Sequence, residues 1–377
     1  MYSLPYILLL ICFSILFFLE YYFPNSRKKI SVTSAVLFLF FFGFRGLIGS
    51  DWYNYQLEYE YIGIDYIYVS NLEEGFNLLV KICKYFSLSY SNFILFITFI
   101  QTILLKKILD KYATYISLFY IILIALFPIV IIDLVRNFTA ILIVMLGIKH
   151  LQEDNNKKFF FYIVIASLFH LSSIVFLLLI FLVKKVLSKK LLMCLFLIGL
   201  VIYVLQINFY KSFIEALAQL LGGRFQILLG QSVSKDEISY GLSFGILEKI
   251  CFFIYVFYSF NYNKANSTVR DLQPVFINMF YIYVFVFLFF STSQTFINRF
   301  ANLFLFGYIF TIIYFIYNKL FFIKLKIVQL ILFSFLFLRT YLGYNNILYE
   351  YTNNIFQEDN ESDRESTRYY YYLNRDI

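Results

Sequence analysis

The side chains in this sequence most able to do chemistry are Arg45, Asp51, Arg136, His170, Arg224 and Arg299, which stand in, beside or between long apolar runs. In a membrane setting an ionisable group of this kind is costly to keep and marks a functional candidate by default. Arginine binds phosphate through a bidentate fork and stays charged when partly desolvated. A carboxylate beside such cations could take the proton of an attacking hydroxyl. Four arginines, one aspartate and one histidine therefore suit a diphosphate leaving group and a hydroxyl nucleophile.

Each residue also has a plainer reading. Arg45, in Phe44-Arg45-Gly46, could snorkel to the membrane interface. Asp51 could be a solvated loop acid or a partner for Arg45, and Arg136 could pair locally with Asp133. His170, among Phe, Leu and Ser, could be a hydrogen-bonded structural histidine, and Arg224, in Gly222-Gly223-Arg224, a solvated loop residue. Arg299, in Ile297-Asn298-Arg299-Phe300, opens an apolar run and could likewise be structural. No single residue decides the matter; their distribution does.

The elements that must position them are membrane helices. The chain has 61% hydrophobic and 14% charged residues, with a mean hydropathy of +0.76. Soluble domains hold about 45–50% apolar and about 25% charged residues, so a water-soluble fold is excluded. Runs long enough to cross a bilayer core lie near 3–23, 30–48, 91–108, 113–133, 135–151, 191–209, 244–261, 273–291, 297–317 and 327–343. The expected fold is all-α and polytopic, with about ten full spans in one domain over 1–345 and a polar, acidic tail over 346–377. The first run lacks a basic flank and a cleavage site and reads as a retained helix.

Lysine and arginine in short loops orient the spans. Arg27, Lys28 and Lys29 put the first loop in the cytoplasm, so the loop at 49–90 is external. That loop carries Asp51, Glu58, Glu60, Asp65, Glu73 and Glu74 against Lys81 and Lys84. The run at 159–183 has lysine pairs on both flanks and is either a single tilted span that breaks the charge rule or, in the preferred reading, a short-helix hairpin turning around Phe169-His170-Leu171-Ser172-Ser173. With that hairpin the loop at 210–243 and the tail fall outside. Arg45, Asp51, Arg136, Arg224 and Arg299 then all face the external side, with His170 pointing toward it. The stretch Glu73–Phe86 has helical apolar spacing and predicts an amphipathic helix on the membrane surface, with Tyr53, Tyr55, Tyr59 and Tyr61 at headgroup level.

Other classes find little support. The basic residues sit in cytoplasmic-type loops, which argues against nucleic acid despite a net charge of +8. The four cysteines show no disulfide or metal spacing, and no cofactor motif or phosphate-cradling loop occurs. Cytoplasmic loops this short hold no nucleotide-binding fold.

From Arg45 to Tyr55 (RGLIGSDWYNY) the sequence resembles the EpsG family of polysaccharide polymerases, related in role to the Wzy O-antigen and capsule polymerases. The resemblance continues through Glu74-Gly75-Phe76, Val135–Ala140 (VRNFTA), Phe169–Ser173 (FHLSS) and Asn298-Arg299-Phe300, and covers roughly 30–317. Ser173 stands where the family pattern usually has alanine. The resemblance implies polymerisation of undecaprenyl-diphosphate-linked oligosaccharides at the outer face of the bacterial inner membrane. It implies a fold like the C-type glycosyltransferases, whose first external loop supplies a carboxylate, and by that analogy Asp51 is the base. Arg45 and His170 join it as catalytic residues, while Arg136, Arg224, Arg299, Tyr55 and Asn298 bind substrate. A chain-length regulator and a flippase are the implied protein partners. The competing reading is a flippase or transporter of lipid-linked oligosaccharide, which would need charges along a path to the cytoplasm and two-half symmetry; neither is visible. A membrane acyltransferase would need an Arg and His near the cytoplasmic side, and His150 alone does not supply them.

Overall fold

The computed structural model describes residues 2–62, 72–211, 219, 244–259, 274–293, 296–315, 326–356 and 360–373. Among these the chain is all-helical, apart from one isolated β-bridge between Arg45 and Asn353. In chain order the helices are α1 (Leu4–Tyr22), α2 (Arg27–Gly43), α3 (Trp52–Tyr61), α4 (Glu74–Tyr85), α5 (Tyr90–Tyr112), α6 (Ile116–Leu126), α7 (Pro128–Ile132), α8 (Val135–Gln152) and α9 (Asn156–Ser167). They continue with α10 (Leu179–Leu182), α11 (Lys189–Leu205), α12 (Phe244–Ser259), α13 (Pro274–Phe289), α14 (Leu305–Phe315), α15 (Lys326–Tyr344) and α16 (Glu361–Leu373). The chain divides into two compact units, 1–174 with 316–377, and 175–315.

In the first unit, helix ends are closed by side chains from elsewhere in the sequence. Glu20 is buried on α1, yet its two carboxylate oxygens accept the amides of Ile116 (2.9 Å) and Ser117 (3.0 Å) that open α6. Arg27 donates to the carbonyls of Ala113 and Thr114 just before them. The exposed amides and partial positive charge of a helix N-terminus account for a buried acid that hydropathy alone would reject.

The run at 113–133 is not one helix. Pro128 lacks the N–H that would continue the ladder, so α6 ends at Leu126 and a short α7 follows. That break leaves Asp133 at the C-terminus of α7, immediately before α8. The run at 159–183 is also interrupted. Helix α9 stops at Ser167, and a 3-10 stretch from Leu171 to Leu178 follows, with His170 between them.

Three helical stretches among the described residues are long and apolar enough to cross a membrane: α1, α5 and Ile297–Tyr314. Shorter apolar helices are α6, Leu171–Leu182 and α13. The ten full spans expected from hydropathy are thus not matched one for one by long helices. Breaks such as Pro128 divide some runs, and α2 and α11 reach only 17 residues each.

One further expectation needs correction. Tyr55 and Tyr59 do not present their rings outward to headgroups; they are buried with Phe76, Val80, Cys83, Phe93, Ile97 and Val135 in a core between α3, α4, α5 and the start of α8. Helix α4 is amphipathic as expected, but its Phe76–Val80–Cys83 stripe packs against protein, while Leu78, Ile82 and Tyr85 are exposed. The described part of the segment after 345 is tied to α1 and α2 of the same unit. Tyr351 donates to the Phe41 carbonyl (2.9 Å), and Tyr6 donates to the Tyr349 carbonyl (3.0 Å).

In the second unit, α13 and α14 are largely buried and α12 brings an ionisable pair inside. Tyr308 donates to Glu248 at 2.7 Å, and the Lys249 ammonium lies 4.4 Å from the Phe287 ring centre. Asn278 on α13 holds the 182–187 turn by donating to the carbonyls of Leu182 and Lys185 and accepting from Leu187.

Candidate active site

Asp51 sits at the N-terminus of α3, at the end of the turn Gly49-Ser50-Asp51. The turn is shaped by a second acid. Asp133 is 2% exposed, and its Oδ1 accepts the amide of Ser50 (2.5 Å), the hydroxyl of Ser50 (3.2 Å) and the amide of Asp51 (3.1 Å). Its Oδ2 accepts the Tyr349 hydroxyl at 2.9 Å. Gly49 has φ +96°, and a Cβ there would collide with this carboxylate. Asp133 is therefore saturated by the turn it organises, and among the described residues it makes no ion pair with Arg136.

The Asp51 carboxylate is held much more loosely, with the Ser50 hydroxyl 3.4 Å from its Oδ1. Burial pushes its pKa up to about 6, helped by the negative charge of Asp133; Arg136, Ser50 and Arg368 pull the other way. A carboxyl whose pKa is raised to about 6 beside a hydrogen-bond-saturated one can accept a proton near neutral pH.

Tyr55 lies one helical turn after Asp51, on the same face of α3. Its hydroxyl is 3.5 Å from Arg136 Nε, and the Arg136 guanidinium lies 5.6 Å over its ring. Arg136 Nη1 donates to Glu73 Oε2 at 2.5 Å, and Nη2 takes no part in these bonds. Glu73 Oε1 is in turn 3.2 Å from His170 Nδ1 and accepts the Leu171 amide at 3.3 Å. The Nδ1 contact is an electrostatic approach with poor hydrogen-bond alignment, and neither ring nitrogen of His170 has an aligned protein partner. Burial alone would raise the Glu73 carboxyl, but His170 and Arg136 together hold it down to about 2.

The structure thus brings together Asp51, Tyr55, Arg136 and His170, with Glu73 as the link between the last two. It places Arg45 differently. That guanidinium is 5% exposed and donates to the carbonyls of Phe42 (2.7 Å) and Ile132 (3.4 Å), at the ends of α2 and α7. None of its hydrogen bonds reaches Asp51, so it fixes the helices that carry the site and does not orient the carboxylate directly. Asn298 and Arg299 belong to the second unit. They lie in a single π-helical turn, Ile297–Ala301, with Arg299 exposed. Such turns recur at functional positions. Arg224 lies outside the described residues.

Glu73 was not singled out by sequence, although a signal existed. Positions 76, 80 and 83 lie on the buried face of α4, and Glu73, its half-buried N-cap, stands three residues before the first of them, whereas Glu74 is exposed. Gly75 completes the placement. Its amide donates to the Leu168 carbonyl at 2.8 Å, and a Cβ would sit 2.8 Å from both that oxygen and the Leu168 Cβ. The close approach brings the start of α4 against the end of α9 and so sets Glu73 beside His170. We expect Gly75→Ala to cost about 1–3 kcal/mol by overpacking, seen as a lower melting temperature of purified protein, with loss of polymer. Glu73→Gln keeps the shape and removes the charge, and should cost about 1.5–3 kcal/mol and most of the activity. Stability and activity both unchanged would show that the carboxylate does not link Arg136 to His170.

The comparisons bear directly on this cluster. The model of the EpsG family matches residues 28–357, most of the chain, and the match contains every residue of the cluster. The chain belongs to the EpsG family. EpsG proteins are Wzy-like polysaccharide polymerases, so this chain is a membrane protein of polysaccharide synthesis with a polymerase role in general. No curated relative and no solved structure matches it. Helix α16 lies beyond the matched region of this EpsG chain.

Proposed function

We propose that this EpsG protein joins undecaprenyl-diphosphate-linked oligosaccharide repeat units at the external face of the inner membrane, as a multi-pass protein whose ten apolar runs all span or enter the bilayer. The observation that supports the reading is the coexistence, in one half-buried cluster, of a loosely held carboxyl whose pKa is raised to about 6 (Asp51) with a guanidinium (Arg136) and a histidine (His170) that flank a shared acid. A sugar hydroxyl of one lipid-linked unit attacks the anomeric carbon of the other. The new C–O bond forms as the bond from that carbon to the diphosphate oxygen breaks, and lipid diphosphate departs with the electron pair. Asp51 takes the hydroxyl proton. Arg136 Nη2 absorbs charge developing on the diphosphate. His170 holds a diphosphate or acceptor oxygen through a ring nitrogen, and Tyr55 keeps Arg136 in place. A flippase and a chain-length regulator are its working partners.

Deleting the gene tests the reading in cells. A polymerase mutant should present single repeat units attached to lipid at the outer face, without long chains. Retention of those units on the inner face would instead identify a transporter.

The pH dependence follows from Asp51. As a base it must be ionised, so turnover should fall as pH drops through about 6. Glu73, held at about 2, stays ionised throughout that range. Folding raises the Asp51 pKa above its unfolded value, so protonating it favours the folded state and the loss of rate is not unfolding. The check is the initial rate of chain growth against pH beside a fold-sensitive spectrum. A rate flat across pH 6 would remove Asp51 from the role.

A further inference from the structure

Helix α16 lies against the turn that carries Asp51, and polar contacts hold it there. Arg368 Nε donates to the Ser50 carbonyl at 3.2 Å. Its guanidinium lies between two phenol rings, 4.9 Å over Tyr53 on α3 and 5.5 Å over Tyr372 on α16. Arg364 pairs with Glu350 at 3.2 Å and reaches the Thr352 hydroxyl, while Asn346 donates to the Tyr371 hydroxyl at 2.9 Å. Glu365 hydrogen-bonds Tyr53 and, with its charge, holds that phenol above its usual range. No residue of α16 is buried. Its Tyr369 and Tyr370 are 63% and 62% exposed, although four consecutive tyrosines are an expensive apolar surface to leave in water.

We propose that α16 completes a saccharide subsite beside Asp51, formed by Tyr53, Arg368 and Tyr372, that takes the acceptor sugar of the incoming repeat unit. This rests on the polymerase reading and deepens it. Aromatic faces with a few fixed polar groups are the usual lining of small-molecule sites. Stacked between two rings, Arg368 is preorganised to donate to sugar oxygens. The sign of the charge argues for the acceptor over the diphosphate. Asp51, Glu361 and Glu365 stand close to this surface, and such a set accepts hydrogen bonds from sugar hydroxyls but repels an anion. The diphosphate is thereby left to the Arg136 side of Asp51 and the hydroxyl nucleophile to the α16 side, as an in-line transfer requires. The helix falls outside the family match, as expected of an element that fits one chain to its own sugar.

The test uses full-length protein and the host's repeat-unit oligosaccharide released from its lipid. Trp52 is the sole tryptophan of the chain and precedes Tyr53, so its fluorescence reports binding. Arg368→Ala and Tyr372→Ala should each weaken oligosaccharide binding about 10-fold, a loss of one good contact. They should raise the KM for lipid-linked unit by a similar factor and leave kcat within a few-fold. Arg368→Lys should recover only part of the affinity. A chain ending at residue 357 should stay folded with at most a small fall in melting temperature, since no residue of α16 is buried and its ties are polar ones, and should lose the binding signal. Unchanged oligosaccharide affinity in all three variants would make α16 a structural clasp and overturn the proposal. So would a fall in kcat at constant KM. Either result, obtained beside a parent protein that polymerises, leaves the polymerase reading standing; a parent that makes no polymer strikes that reading instead.

Discussion

Asp51→Asn is expected to lower the rate of chain growth by about 10²–10⁴, the usual cost of losing a general base, while lipid-linked substrate still binds. Asparagine keeps the size of the side chain, and its carbonyl can still accept from Ser50, but it cannot take a proton. The alternative is a structural Asp51, and the geometry separates the two cases. A structural acid at this turn already exists in Asp133, which accepts both amides of the turn and the Tyr349 hydroxyl. The contact that Asp51 makes with Ser50 at 3.4 Å is too long to contribute much. If Asp51 were merely structural, its amide substitution would cost a few-fold at most. Asp133→Asn should behave in the opposite way, lowering the melting temperature as well as the rate, because it disturbs the turn that presents Asp51. Measured together, turnover, substrate binding and thermal stability of the two variants distinguish the base from its support.

Arg136→Ala is expected to abolish polymer. The loss has two sources: a charge that stabilises the departing diphosphate, worth about 10²–10³ in rate when an electrostatic donor is removed, and the counter-charge of Glu73. The substitution also leaves Glu73 half-buried without its guanidinium partner. Arg136→Lys should therefore restore the protein's stability better than its activity. An ammonium can neutralise Glu73, but its donors sit on one nitrogen and do not span Glu73, Tyr55 and phosphate as the separate nitrogens of the guanidinium fork do. Full activity in the lysine variant would show that charge alone is needed and that the fork has no role.

Much of this site was legible in the sequence, and the reasons for success and failure are physical. Asp51, Arg136 and His170 were found because an ionisable residue beside an apolar run has to be accounted for. Their convergence could not be read, because it depends on two close approaches: the Gly75–Leu168 contact and the Gly49–Asp133 turn. Each glycine lies beside one of the groups it places, but the segment it meets is more than 80 residues away in sequence. Glu73 escaped because adjacent acids look alike until the helical phase of α4 is fixed. Arg45 was assigned to Asp51 on sequence proximity, but a buried guanidinium seeks carbonyls, and the ends of α2 and α7 supply them. The span count suffered from a different difficulty. Hydropathy registers apolar length and is blind to Pro128, which divides one run, and to the break at Leu168–His170, which divides another.

The most direct test of the account is made with purified protein in lipid discs supplied with a single substrate, the lipid-diphosphate-linked repeat unit, and nothing else. The account predicts lipid-linked oligomers growing by whole repeat units, with one molecule of lipid diphosphate released for each bond formed, and neither product from Asp51→Asn on the same timescale. Growth that requires an added nucleotide sugar, or units that change leaflet without being joined, would contradict it.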